Sequence, residues 1–184
     1  MRILLACLLL GGAGYFAWDL LRVDSCLDRG GMWAGPMGCQ TQLPKVDRIL
    51  IDKSDRTLLA FEHGRIVARM SVALGREPIG DKQREGDNRT PEGTYPITQH
   101  KPDSAYHRAL RLGYPTSGQI ALAKKRGDEP GADIMIHGIR NGLGWMGSLH
   151  RIGDWTRGCV AVTNGETDWL YQSAADGTHV EIRA

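Results

Sequence analysis

The sequence predicts a mainly β domain with short helices, an α+β chain, and three observations carry that expectation. Glycine supplies 24 of the 184 residues, about twice the usual ~7%, which implies many turns and therefore short strands. Between Val46 and Gly75 apolar residues alternate, as Ile49 and Ile51, Leu59 and Phe61, Ile66 and Ala68, the period of half-buried strands. Near the C-terminus Thr163 and Glu166 have the Ser/Thr-x-x-Glu spacing that opens a helix by satisfying two of its free N–H groups reciprocally.

Taken in order, Val46 to Gly75 reads as three strands joined by two hairpins, turning at Ser54-Asp55-Arg56 and at Glu62-His63-Gly64. Arg76 to Arg89 is polar and rich in Gly and Asp, a surface loop. Thr90-Pro91-Glu92-Gly93 is a turn with Pro pre-set at its second position, and Tyr95 to Thr98 resumes an extended pattern. Ser117 to Arg126 reads as a short helix with Ala121 and Leu122 on its inner side. Asp133 to Ile136 is a buried strand that carries His137 at its end. Gly142 to Gly153 is a loop whose Trp145, Met146 and Leu149 suit a groove wall. Val160 to Val162 is a strand, a helix from the Thr163 cap buries Trp169 and Leu170, and Asp176-Gly177 turns into a last strand, His179 to Arg183.

Upstream of this domain lies a run of 16 apolar residues, Ile3 to Trp18, after a single Arg2. It lies between a signal core of about 7 to 15 residues and a full span of about 20. We expect residues 1–21 to be an uncleaved anchor, with a cleaved signal as the alternative, and Arg2 on the inner side places the body of the protein outside. The envelope, the periplasm in a two-membrane cell, is the expected location. Cys26 and Cys39 then fall in an oxidising compartment and read as a disulfide closing a 14-residue loop, worth about 3 kcal/mol. Residues 22–44 are thus expected to be a disulfide-stapled linker, and residues 45–184 one folded domain. With 23 Lys+Arg against 21 Asp+Glu, scattered and not blocked, nothing points to nucleic acid. A monomer is expected.

Cys159 is left without a partner, and its neighbours suit reactivity. A thiol becomes a nucleophile when an imidazole within reach stabilises its thiolate. His137, fixed at a strand end with Gly138 allowing the chain to turn away, is the plausible imidazole. Gly158 permits close approach of a substrate carbonyl, so the Gly158 and Cys159 amides form a candidate oxyanion hole. These parts suit acyl transfer through a thioester, with no cofactor. A zinc site from His137, His150 and Cys159 has no close-set ligand pair and no fourth ligand, so no metal is expected. His150 reads as a surface loop histidine. His100, His107, Tyr106 and Tyr114 are weaker groove candidates, and Asp133 with Asp154 is not a paired-carboxylate site.

His137-Gly138, then Thr156-Arg157-Gly158-Cys159, then Asn164 resembles the signature of the L,D-transpeptidase catalytic domains (YkuD-type). Around one cysteine, the Ser/Thr, Gly and Asn would coincide by chance roughly once in a few thousand. The resemblance runs from about Val46 to Arg183. It implies a β-sandwich-like fold and a cysteine enzyme acting on peptidoglycan stem peptides, with Cys159 the nucleophile, His137 the base and the Gly138 carbonyl orienting the imidazole. Trp155, Thr156, Arg157 and Asn164 become substrate-binding candidates. Two departures stand out, because the commoner motif has His where Arg157 stands and Arg where Ala161 stands. Arg157 is therefore a candidate to grip a substrate carboxylate bidentately. The rival readings are a hydrolase, an L,D-carboxypeptidase or amidase, with the same Cys-His site, and a non-catalytic wall-binding module.

Overall fold

The computed structural model of the chain describes residues 32–33, 38–40 and 42–184. The expected anchor, Ile3 to Trp18, and Cys26 lie outside the described residues. The chain divides between Leu43 and Pro44 into two units. In the first, β1 (Met32–Trp33) and β2 (Cys39–Gln40) pair antiparallel, in a segment whose sequence has no strand period because two residues are too few to show one.

In the second unit β3 (Val46–Asp52), β4 (Thr57–Glu62) and β5 (Arg65–Ser71) form the two expected hairpins. Ile49, Ile51, Leu58 and Ala60 are fully buried. Leu59, expected inside, is half-buried opposite Arg69, because Leu58 and Ala60 are the inward residues of β4; in β5 it is Ile66 that departs, at 50% exposed. There the pairing jumps from Ala60↔Ala68 to Phe61↔Ile66, so Val67 is an extra residue. Such a bulge reverses the face of every residue beyond it.

β6 (Gly93–Ser104) is longer than its sequence signal, and β7 (His107–Leu112) follows it antiparallel. β7 has no clean alternation to announce it, since Ala109, Leu110 and Leu112 are all buried. α1 (Ser117–Arg126) is capped by Thr116 with Gln119 in a reciprocal box and stopped by Gly127 in the left-handed region. Ala121 and Leu122, expected inside, are exposed; the inward face is Gln119 and Ala123. Gln119 Nε2 donates to the Tyr95 hydroxyl at 2.7 Å, so a polar contact sets this helix's rotation and not its apolar residues.

β8 (Met135–His137), β9 (Val160–Ala161), α2 (Asn164–Ser173) and β10 (Ala174–Arg183) complete the unit. α2 opens on the expected Thr163–Glu166 box, buries Trp169 and Leu170, and packs against β7, β8 and β10. The expected Asp176-Gly177 turn lies within β10, at the register shift between Ala174 and His179. The strands run in the order β5-β4-β3-β10-β6-β7-β8-β9, with β10 parallel to β3 and antiparallel to β6. Just past β5, Ala73 exchanges N–H···O bonds of 2.9 and 2.8 Å with Ala161 of β9. The eight-stranded sheet thus curls until its two edges meet, which encloses a core as a sandwich does.

Candidate active site

The meeting of the two edges builds the site. β8 and β9 run parallel with Ile136 opposite Val160 and His137 opposite Ala161. One step back along that ladder Cys159 is level with Met135, two residues before His137. Residues two apart share a face of a strand, so Cys159 and His137 lie diagonally on one face. Both line a cavity of about 890 Å³.

The loop before Cys159 is held by buried Thr156. Its hydroxyl donates to the Cys159 carbonyl at 2.7 Å and accepts the Gly158 N–H at 3.1 Å. Its backbone bonds Leu74 and Arg76, each at 3.1 Å. Asp154 clamps the same loop, accepting from the Leu74 N–H at 2.8 Å and from Arg56 at 2.9 Å. Gly158 has φ 130°, and a Cβ there would stand 2.6 Å from the Arg89 carbonyl oxygen, so only glycine fits. Two sequence expectations change here. Thr156 is a framework residue, its hydroxyl occupied within the loop, and the Gly158 amide is taken by Thr156 and is not a free oxyanion donor.

His137 is buried, and its Nδ1 is 2.7 Å from the Gly138 carbonyl oxygen. A carbonyl only accepts, so Nδ1 carries the proton and Nε2 of the neutral ring keeps its lone pair. Burial pushes the imidazole pKa down, opposed by the Gly138 bond. Gly138 also allows close packing, since a Cβ there would meet Asn164 Oδ1 at 2.8 Å. Asn164 accepts the Ile139 N–H at 2.9 Å and is not among the residues lining the cavity. Its side chain fixes the chain leaving His137, where the sequence suggested a substrate contact.

Cys159 has a free thiol. It donates to the Asp133 carbonyl at 3.5 Å, not to His137. Burial pushes the thiol pKa up, with a Met135 backbone hydrogen bond in opposition. The resting pair is therefore neutral thiol and neutral imidazole, where the sequence suggested a preformed ion pair. Low dielectric accounts for the difference, because it disfavours both charged forms.

Tyr106 and Trp155 pack on the His137 ring at centroid distances of 4.7 and 5.7 Å. Trp155 also touches His150, which is buried and lines the cavity, contrary to the surface position expected for it. His150 belongs to a 3-10 segment, Gly144–Ile152, kinked at Gly147, and its neighbour Arg151 bonds the buried Glu166 of the α2 cap. Of the weaker groove candidates only Tyr106 lines the cavity. His100 and His107 bond Asp176 and Asp168, and the Tyr114 hydroxyl bonds the Pro130 carbonyl. Arg157 is exposed at the cavity, joined by Arg76 and Arg140, and none of the three forms an ion pair with a described residue. Arg76 and Arg140 went unread because neither belongs to a local motif; only the closure of the sheet brings them to the site. The polar 76–89 loop is likewise more than surface, since buried Lys82 pairs with Asp87 at 2.7 Å.

A curled β domain presenting this His-Gly and Thr-Arg-Gly-Cys pair at one cavity defines a class. The YkuD family model, the L,D-transpeptidase catalytic domain, matches residues 46–182, and the chain belongs to that family. Among curated proteins it is similar to the putative L,D-transpeptidase YafK of Escherichia coli (strain K12), 32% identical over 130 residues, 67% of this chain and 45% of that protein. Among solved structures it resembles a mutant of the helical cell shape determining protein Pgp2 from Campylobacter jejuni, with TM-score 0.57 and 27% identity over 76% of this chain and 47% of that one. An L,D-transpeptidase from Mycobacterium smegmatis shares the fold, with TM-score 0.52 and 13% identity over 80% and 62% of the two chains. The chain spans about half the length of the curated relative.

Proposed function

We propose that the chain is a cysteine acyltransferase that acts on peptidoglycan stem peptides through a thioester. The observation that carries this reading is a free thiol and an imidazole with an unprotonated Nε2 at one cavity. As Cys159 Sγ attacks a substrate carbonyl, His137 Nε2 takes the thiol proton and a C–S bond forms. The C–N bond of the terminal residue breaks, and Nε2 passes its proton to the departing amine. An acceptor amine then attacks the thioester and gives its proton through Nε2 to the leaving sulfur. General-base transfer of this kind needs no preformed thiolate. Stem peptides carry carboxylates, and Arg76, Arg140 and Arg157, which no described carboxylate pairs, line the same cavity as the thiol, with Arg157 the carboxylate clamp. Trp155, in the cavity wall, contacts the same peptide.

In this reading the Ile3–Trp18 run anchors the chain, and the domain works as a monomer on the outer side of the membrane. The Cys26–Cys39 disulfide forms there. The test is incubation of purified muropeptides with the full chain and with its Cys159→Ala variant. Cross-linked dimers are expected from the first and no product from the second. Trimmed monomers without dimers would make water the acceptor, and product from the variant would remove Cys159 from the chemistry.

A further inference from the structure

Gly75 pairs with Thr156 in a parallel bridge, and the Arg76 N–H donates to the Thr156 carbonyl at 3.1 Å. One step on, Arg76 stands level with Arg157, two residues before Cys159. Both arginines are exposed, and both line the cavity that holds the thiol. Like charges placed opposite each other on paired strands repel, and no described carboxylate forms an ion pair with either guanidinium. Asp154 is the one carboxylate among the described lining residues, and it is already held by the Leu74 N–H and by Arg56. A cleft lined by charge of one sign concentrates ligands of the other. Arg140, the third cation of the lining, enters from the His137 side, next to Ile139, whose N–H is held by Asn164.

From this register we infer that Arg76 is a specificity-determining residue, which together with Arg157 grips one carboxylate of the bound stem peptide. This rests on the acyl-transfer reading of the cavity and adds a second guanidinium to it. A carboxylate has two oxygens and about four lone-pair directions, and each guanidinium offers a planar fork of donors. One carboxylate between the two arginines therefore bonds both and offsets their mutual repulsion. The bridge ties the backbone of Arg76 to the loop that carries Cys159, so the gripped group is held at a set place relative to the thiol. A peptide whose carboxyl is blocked as an amide keeps its backbone but loses the contact, and the site thereby selects the free acid over the amide.

The test measures calorimetrically the binding of a synthetic stem tetrapeptide to the full chain carrying Cys159→Ala, so that no turnover intervenes. The free acid is compared with forms of the same peptide amidated at one carboxyl at a time. Arg76→Gln and Arg157→Gln, each added to this parent, should weaken binding of the free acid about five- to tenfold. Amidation of one particular carboxyl should erase both losses, so that the parent and both variants bind that form alike. Arg76→Lys keeps the charge but not the fork and should fall between the parent and Arg76→Gln. An Arg76→Gln chain that binds the free acid as the parent does would overturn the inference. So would a loss that persists with every amidated form, or losses in the two variants that are erased by amidation at different carboxyls. A parent that binds no stem peptide would remove the acyl-transfer reading and this inference with it, whereas a failure confined to Arg76→Gln leaves that reading standing.

Discussion

The two sides of the cavity are held differently. On the inner side, the β8–β9 ladder holds His137 and starts one residue after Cys159, and the Thr156, Asp154 and Asn164 side chains are occupied by backbone N–H and C=O groups. On the outer side, the 3-10 segment exposes Trp145 at 77% and Ile152 at 87% and holds its place through Arg151 on Glu166, while Arg76, Arg140 and Arg157 form no ion pair among the described residues. A site that moves protons needs fixed distances, whereas a rim that selects peptides needs reachable groups. Changes on the inner side should therefore strike rate or fold, and changes on the outer side should strike affinity.

The largest expected effect on the inner side is that of His137→Ala. Turnover should fall at least ~100-fold, as loss of a general base requires, while thermal unfolding still shows a folded domain. Unchanged turnover would break the assignment of the inner wall. The pH dependence of thiol alkylation comes next. Burial raises the Cys159 pKa above its ordinary 9.0, so the thiolate fraction is small at pH 7. The rate with a small neutral reagent should climb with pH through the alkaline range, about tenfold per unit below the pKa. A plateau from neutral pH would mean a preformed ion pair.

Gly158→Ala and Arg157→Ala, one residue apart, sharpen the contrast. The first forces a side chain into φ 130° and against the Arg89 carbonyl and should cost about 1–3 kcal/mol of stability, read by denaturant unfolding. The second removes an exposed group that no described carboxylate pairs. It should leave stability within about 0.5 kcal/mol and raise the KM for stem peptide several-fold. A destabilised Arg157→Ala or a fully stable Gly158→Ala would erase the distinction between the two sides.

The inner side was also the part legible in the sequence, for a physical reason. His137, Gly138, Gly158 and Cys159 are constrained by local backbone needs, and such needs leave short motifs. The hairpins of β3 to β5 and the Thr163 cap were legible for the same cause, a period or spacing within a few residues. Long-range pairing leaves no such trace. The insertion of β10 beside β3, the bridge from Ala73 to Ala161, and the arrival of Arg76 at the thiol depend on residues about 80 or more positions apart. His150 was misread because the burial of this one residue of the 3-10 segment, against Trp155, is set by tertiary packing. Ile66 was misread because a single extra residue, Val67, shifts the period. Asn164 fitted the motif, yet its role as a backbone clamp emerges only once Ile139 is placed beside it.

The central claim is that Cys159 carries the acyl group, and intact-mass measurement after brief mixing with stem tetrapeptide tests it most directly. The full chain should gain the mass of the peptide less that of the free terminal amino acid it releases. The gain should map to Cys159 on digestion, disappear with an added amine acceptor, and be absent from Cys159→Ala. Peptide turned over by the Cys159→Ala chain, or an adduct that maps to another residue, would contradict the account.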